Sequence, residues 1–148
     1  MDWAIAGDDE PRSLADRAVV IELLDQPDPV VLLTGWARLQ TDIASRVTPL
    51  FSALEAAAGI DLEVQALLDQ LHRQRLAGAR RIVERLGELD ALPKRLPVRE
   101  AVDLVWLAGD PLLFDRMVRI RKWSKRRFGD WLGTLLTTQV LGRPVRAT

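Results

Sequence analysis

The chain has no cysteine and no tyrosine, and only one histidine, His72, among its 148 residues. Without cysteine there are no disulfides, no thiolate metal sites and no thiol nucleophile, and a reducing cytoplasm is the simplest expected home. One histidine does not build the usual zinc sites, and no HExxH motif is present. Neither GxGxxG nor GxxxxGK[ST] occurs, which removes the common phosphate-cradling loops, and no serine sits in a G-x-S-x-G elbow. The expectation is therefore a protein that is not an enzyme, with no catalytic residues, no metal and no cofactor.

Long apolar runs are missing too. None approaches the roughly 18 residues that a membrane-spanning helix needs. The opening Met1-Asp2-Trp3 is acidic and lacks the apolar stretch of a secretory signal. Charge of one sign is absent overall, because 21 basic and 21 acidic residues cancel. A neutral molecule lacks the broad positive field on which nucleic-acid binders rely.

What is present is helix punctuation. Asp28-Pro29 and Asp110-Pro111 each place a capping side chain before a proline suited to the first turn, and Ser13 and Ser124 are further N-cap candidates. Gly59, Gly109 and Gly142 suit helix ends. With no hairpin turn and no sustained alternation, the pattern gives an all-α fold in one domain spanning 1–148. Helices are expected near 13–25, 29–58, 61–89, 98–108, 111–122 and 125–141. They follow a short helical tail through Ala6 and an acidic loop from Gly7 to Pro11, and a tail from 143 to 148 closes the chain. The two central helices, each about 40 Å long, should pack antiparallel across the Gly59 turn.

Leu32, Trp36, Leu39, Ile43, Val47, Leu50 and Leu54 recur at three- and four-residue spacing and make one stripe; Leu68, Leu76, Ala79 and Val83 make another. His72 falls in line with the second. It reads either as a hydrogen-bonded core histidine or as a polar contact in a mostly apolar ligand cavity. Pro49 either kinks the first long helix or starts a new one. A kink would open the Ser45 carbonyl, the Thr48 hydroxyl and the Gln40 amide to a ligand, walled by Trp36 and Phe51. Helical phase thus proposes a ligand site of Trp36, Gln40, Ile43, Val47, Phe51, Leu68, His72, Trp106 and Phe114.

Seven basic residues and no acid lie between Arg116 and Arg127. With helices 98–108 and 111–122 they imitate a helix-turn-helix, but a recognition helix reads bases with its N-terminal residues. Here those are Leu112, Leu113, Phe114 and Asp115, a set suited to burial. The cations sit at the helix C-terminus, where the macrodipole favours them, and a solvated face is the simpler reading.

Helix 98–108 is apolar nearly all round. The last helix has one stripe of Phe128, Leu132 and Leu135 and a smoother one beside it. Such helices are normally buried on every side. The expectation is an isologous homodimer through Ala101, Leu104, Ala108, Gly129, Gly133, Leu136, Thr137 and Val140.

The run Asp110-Pro111-Leu112-Leu113-Phe114-Asp115, then Trp123-Ser124, Phe128, Trp131-Leu132 and Leu135, resembles the C-terminal signature of TetR-type transcription regulators. Ala4-Ile5-Ala6-Gly7-Asp8-Asp9 and Leu14-Ala15-Asp16-Arg17 resemble the junction that follows the connecting helix in such proteins, so the likeness spans roughly residues 3 to 142. Phe114 and Phe128 stand where similar proteins often carry tyrosine, and Lys122 precedes Trp123 where glycine is common. The resemblance implies an antiparallel bundle that dimerises through its last helices and binds a small effector, and a DNA-binding head expected upstream of Met1. An alternative is a headless helical interaction module that pairs with other regulators without sensing a ligand.

Overall fold

Side chains that cap helices set the boundaries. Asp28 accepts from the Val30 amide at 2.8 Å, Asp61 from Glu63 and Val64 at 2.9 and 3.3 Å, Asp110 from Leu112 at 2.9 Å, and Ser124 from Arg127 at 3.1 Å. Each satisfies amides that the first helical turn leaves without partners. The computed structural model describes residues 14–142, which form α1 (Leu14–Leu24), α2 (Pro29–Ala58), α3 (Leu62–Glu88), α4 (Val98–Ala108), α5 (Pro111–Phe114) and α6 (Lys125–Leu141). There are no strands among the described residues, and no helix is long and apolar enough to cross a membrane. The expected helical tail through Ala6, the acidic loop, the Ser13 cap and the tail after Gly142 lie outside the described residues.

Gly59, Gly109 and Gly142 each follow a helix, and Gly142 takes the left-handed conformation, φ 67°, that glycine adopts without strain. The expected helix 111–122 is α-helical only through Phe114. From Asp115 to Ile120 it widens to a π-helix, and it ends with Lys122 in the left-handed region, φ 65°. That is the position at which the resemblance expects glycine. α2 runs through Pro49, so the helix neither ends nor restarts there.

The three-residue link at Gly59 folds α3 back along α2. Glu55, near the end of α2, meets His72, and Arg85, near the end of α3, reaches the Gln26 carbonyl beyond the start of α2. That pairing is antiparallel. α1 crosses the start of α2 where Gly35 leaves a seat for Leu23: a Cβ at Gly35 would lie 2.3 Å from Leu23 Cδ2.

α6 packs against both α2 and α4. Gly133 faces Thr34 and Ala37, and Gly129 faces Thr41, so α6 presses its smooth strip onto this chain's own α2. These glycines belong to the strip expected to face a second chain. Ala101, Ala108, Gly129, Gly133, Leu136 and Val140 are buried within this chain, with Ala101 and Val140 at 0 % exposure. Leu104 and Thr137 are half-buried. The close approach inferred from the glycines is real, but the approaching backbone is intramolecular. Outward, α4 and α6 still present Leu104, Leu107, Trp131 and Leu135 at least partly open to solvent.

Candidate functional site

The α2 stripe that faces α3 does not close completely. Trp36, Gln40, Ile43, Ala44, Val47 and Phe51 from α2 meet Gln74, Arg75 and Gly78 from α3, and Gly109 with Pro111 from the α4–α5 turn closes the end. Together they enclose a cavity of about 40 Å³. That is room for one or two waters and far below the roughly 300 Å³ of a typical ligand pocket, so anything larger enters only by moving the walls.

The walls are mostly apolar, and the exceptions are informative. Trp36 is only 4 % exposed, and its indole Nε1 is sealed from solvent without a hydrogen-bond partner. Arg75 is held by three contacts. Its Nη2 donates to the Trp106 carbonyl at 2.7 Å, its Nη1 donates to His72 Nδ1 at 3.2 Å, and the guanidinium lies 4.9 Å from the Trp106 ring centroid. Its Nε is buried and bonds to nothing. Among the described residues no carboxylate pairs with it within ion-pair distance. Burial pushes the Arg75 pKa down, and Asp110 opposes that at longer range. The Asp110 carboxylate already caps α5 through the Leu112 amide. A guanidinium has no acceptor capacity and stays charged, so the cavity wall carries a partly desolvated cation with an idle donor.

His72 orders this cation rather than lining the cavity. Its ring sits between Phe51, 6.1 Å away by centroids, and Trp106, 5.9 Å away. Because an arginine only donates, Nδ1 must accept, which leaves the proton on Nε2, 3.6 Å from Glu55 Oε1.

Of the nine residues that helical phase proposed, the structure brings Trp36, Gln40, Ile43, Val47 and Phe51 together on the wall. Leu68 is core packing at 6 % exposure, and Trp106 stands behind the wall as the platform for Arg75. Phe114 is buried edge-on against Phe128 at 5.3 Å. Two phenylalanines in an apolar contact have no use for the hydroxyl that tyrosine would bring. The Thr48 hydroxyl is occupied, shared between the Ala44 carbonyl at 2.6 Å and the Pro111 carbonyl at 3.1 Å, and so ties α2 to α5.

Periodicity alone missed Gln74, Arg75, Gly78, Gly109 and Pro111. Arg75 lies three residues after His72, at the edge of the stripe that faces the core, and which way it turns is set by how α3 packs.

The basic segment is solvated, as its helix-end position implies. Arg116, Arg119, Arg121, Lys122, Lys125, Arg126 and Arg127 are all exposed. Arg119 grips Asp115 at 2.7 Å, Lys125 reaches Asp42 at 2.7 Å, and Arg127 covers the Trp123 ring at 3.9 Å. Comparison with protein-family models, with curated proteins and with solved structures returns no match.

Proposed function

We propose that this chain is the effector-sensing and dimerising domain of a transcription regulator of the TetR type, with a small, largely apolar ligand as the effector. One observation carries the reading: a mostly apolar cavity at the α2–α3 junction whose lining residues Trp36 and Arg75 each keep one buried N–H unpaired. Interiors are close-packed, and buried polar groups normally find partners, so a void whose lining residues Trp36 and Arg75 each carry an unpaired buried N–H favours recognition over packing.

The position of the cavity supplies a route to the partner surface. A ligand that widens it displaces the Gly109–Pro111 turn, which joins α4 to α5. α4 and α6 also carry apolar side chains that stay at least partly open to solvent, Leu104, Leu107, Trp131 and Leu135. In this reading the ligand prefers one spacing of the paired protomers, and that differential affinity is the signal. The π-helix that follows α5 belongs to the same hinge, and such turns recur at functional sites.

Calorimetry and native mass spectrometry against a panel of apolar small molecules test the sensing half. Binding with raised thermal stability is expected, and silence across a saturating panel overturns it. For the dimer, Leu107→Glu and Leu135→Glu should convert a two-chain mass to a one-chain mass in light scattering with the fold intact. An unchanged mass rejects the outward faces as the seam.

A further inference from the structure

We infer that the α2–α3 cavity takes a small monocarboxylate with an apolar body, its carboxylate set against Arg75 and its body against Ile43, Val47 and Phe51. The inference rests on the sensing role proposed above and names the chemical class of the ligand. Three observations converge on it.

The first is the charge balance. Arg75 is the one cation on the cavity wall, and no acidic residue stands among the lining residues. Its two bonded donors go to a neutral imidazole nitrogen and a backbone carbonyl, which hold the guanidinium in place without neutralising it. A partly desolvated cation whose nearest opposing charge, Asp110, acts only at longer range carries a cost that an incoming anion reduces. The second is the donor set. Arg75 Nε and Trp36 Nε1 are both sealed and idle, and both residues line the same cavity. A carboxylate has two oxygens and accepts from several N–H groups at once, which suits donors arriving from α2 and α3 together. The third is the rest of the wall, where aliphatic and aromatic side chains predominate and Gln40 and Gln74 are the remaining polar groups.

A single guanidinium also decides among anions. One positive charge balances one negative charge, whereas a dianionic phosphate would carry an uncompensated charge into an apolar site. The platform behind Arg75 strengthens the choice. Trp106 supplies both the carbonyl that holds Nη2 and the ring under the guanidinium, and His72 fixes Nη1, so the fork is held before any ligand arrives. Pre-organisation of this kind lowers the entropy lost on binding. His72 is thus a positioning residue, acting through Arg75.

The test uses matched probes: a series of straight-chain and phenyl-substituted monocarboxylic acids from butyrate to decanoate, and the corresponding primary amides. Titration at neutral pH is followed by calorimetry and by the indole N–H signal of Trp36 in proton–nitrogen correlation spectra. In the parent protein at least one acid should bind about ten-fold or more tightly than its amide, and should move the Trp36 indole signal downfield. Arg75→Met should erase the preference for acid over amide while keeping the thermal transition cooperative, and Arg75→Lys, which keeps the charge but loses the fork, should retain part of it. His72→Gln, by loosening the fork, should narrow the preference without abolishing amide binding. Equal binding of acids and amides overturns the carboxylate assignment and leaves the sensing role standing. Acid binding that survives Arg75→Met, or that leaves the Trp36 signal unmoved, overturns it as well. Failure of both series to bind overturns the carboxylate assignment, and the sensing role then stands or falls with the wider apolar panel.

Discussion

Two faces of α2 meet other helices, and they are finished differently. Toward α6, Thr34, Ala37 and Thr41 meet Gly133 and Gly129, so small residues bring the two backbones close. The polar groups there are hydroxyls turned back on their own helix, with Thr34 bonded to the Val30 carbonyl at 2.8 Å and Thr41 to the Ala37 carbonyl at 2.7 Å. Toward α3, the same helix offers Trp36, Gln40 and Phe51 to Arg75 and Gln74, and leaves space and idle donors between them. The α6 face satisfies every requirement of a core. The α3 face violates two, and departures from good packing in natural proteins concentrate where function is carried. On this comparison the α2–α6 seam is finished as core, while the α2–α3 face gives up packing and hydrogen bonds that the proposed ligand would restore.

The largest effect that would sharpen the contrast comes from truncating a side chain on the packed part of α2. Leu33 is fully buried at 0 % exposure, and Leu33→Ala should cost about 2–5 kcal/mol in denaturant unfolding, from lost transfer energy and the cavity left behind. A loss below about 1 kcal/mol would mean that this part of the bundle collapses around voids as readily as the α3 face tolerates one, and the comparison would fail.

A smaller loss is expected at the strut between the two regions. The Thr48 hydroxyl reaches both the Ala44 and Pro111 carbonyls from a buried position, and Thr48→Val keeps the shape while removing the donor. About 1–2 kcal/mol should be lost, as the Pro111 carbonyl loses this partner. If the turn at Gly109–Pro111 is the hinge of the cavity, its amides should also exchange faster in the variant. Unchanged exchange would detach the strut from the hinge.

Much of this was legible in the residues. Proline-preceding aspartates, helix-ending glycines and stripes at three- and four-residue spacing placed the helices nearly where they are, because caps and amphipathic phase are local chemistry. The α2 side of the cavity was legible for the same reason: Trp36, Gln40, Ile43, Val47 and Phe51 share one phase of one helix. The α3 side was not, since whether Arg75 faces solvent or the interior depends on how α3 rolls against α2 and α4, which phase alone does not specify. The smooth strip of α6 shows the same limit from another side. Gly129 and Gly133 announce a close approach, but a glycine does not say whose backbone approaches. In the tertiary arrangement α2 takes that role, and Leu107, Trp131 and Leu135 are the apolar residues of α4 and α6 left at least partly open to solvent.

The finest test adds the same methyl group to each region. A Cβ at Gly35 would lie 2.3 Å from Leu23 Cδ2, and one at Gly109 would lie 2.9 Å from Gln40 Oε1. Both obstacles are ends of side chains, so neither site is closed by backbone. Leu23 is 8 % exposed and lies in the core, and its displacement opposes the helix-propensity gain of alanine. Gly35→Ala should therefore lose about 1 kcal/mol net. Gln40 has the cavity beside it and can swing its amide into that space. Gly109 has φ −88°, a negative-φ conformation that recurs at the end of tight turns and is open to alanine, so Gly109→Ala should leave unfolding free energy unchanged within about 0.5 kcal/mol. The displaced amide would then occupy the ligand's volume, and the acid series should bind more weakly to a protein that is no less stable. If Gly109→Ala instead costs as much as Gly35→Ala, the α3 face is as tightly packed as the rest, and the cavity has no slack to give a ligand.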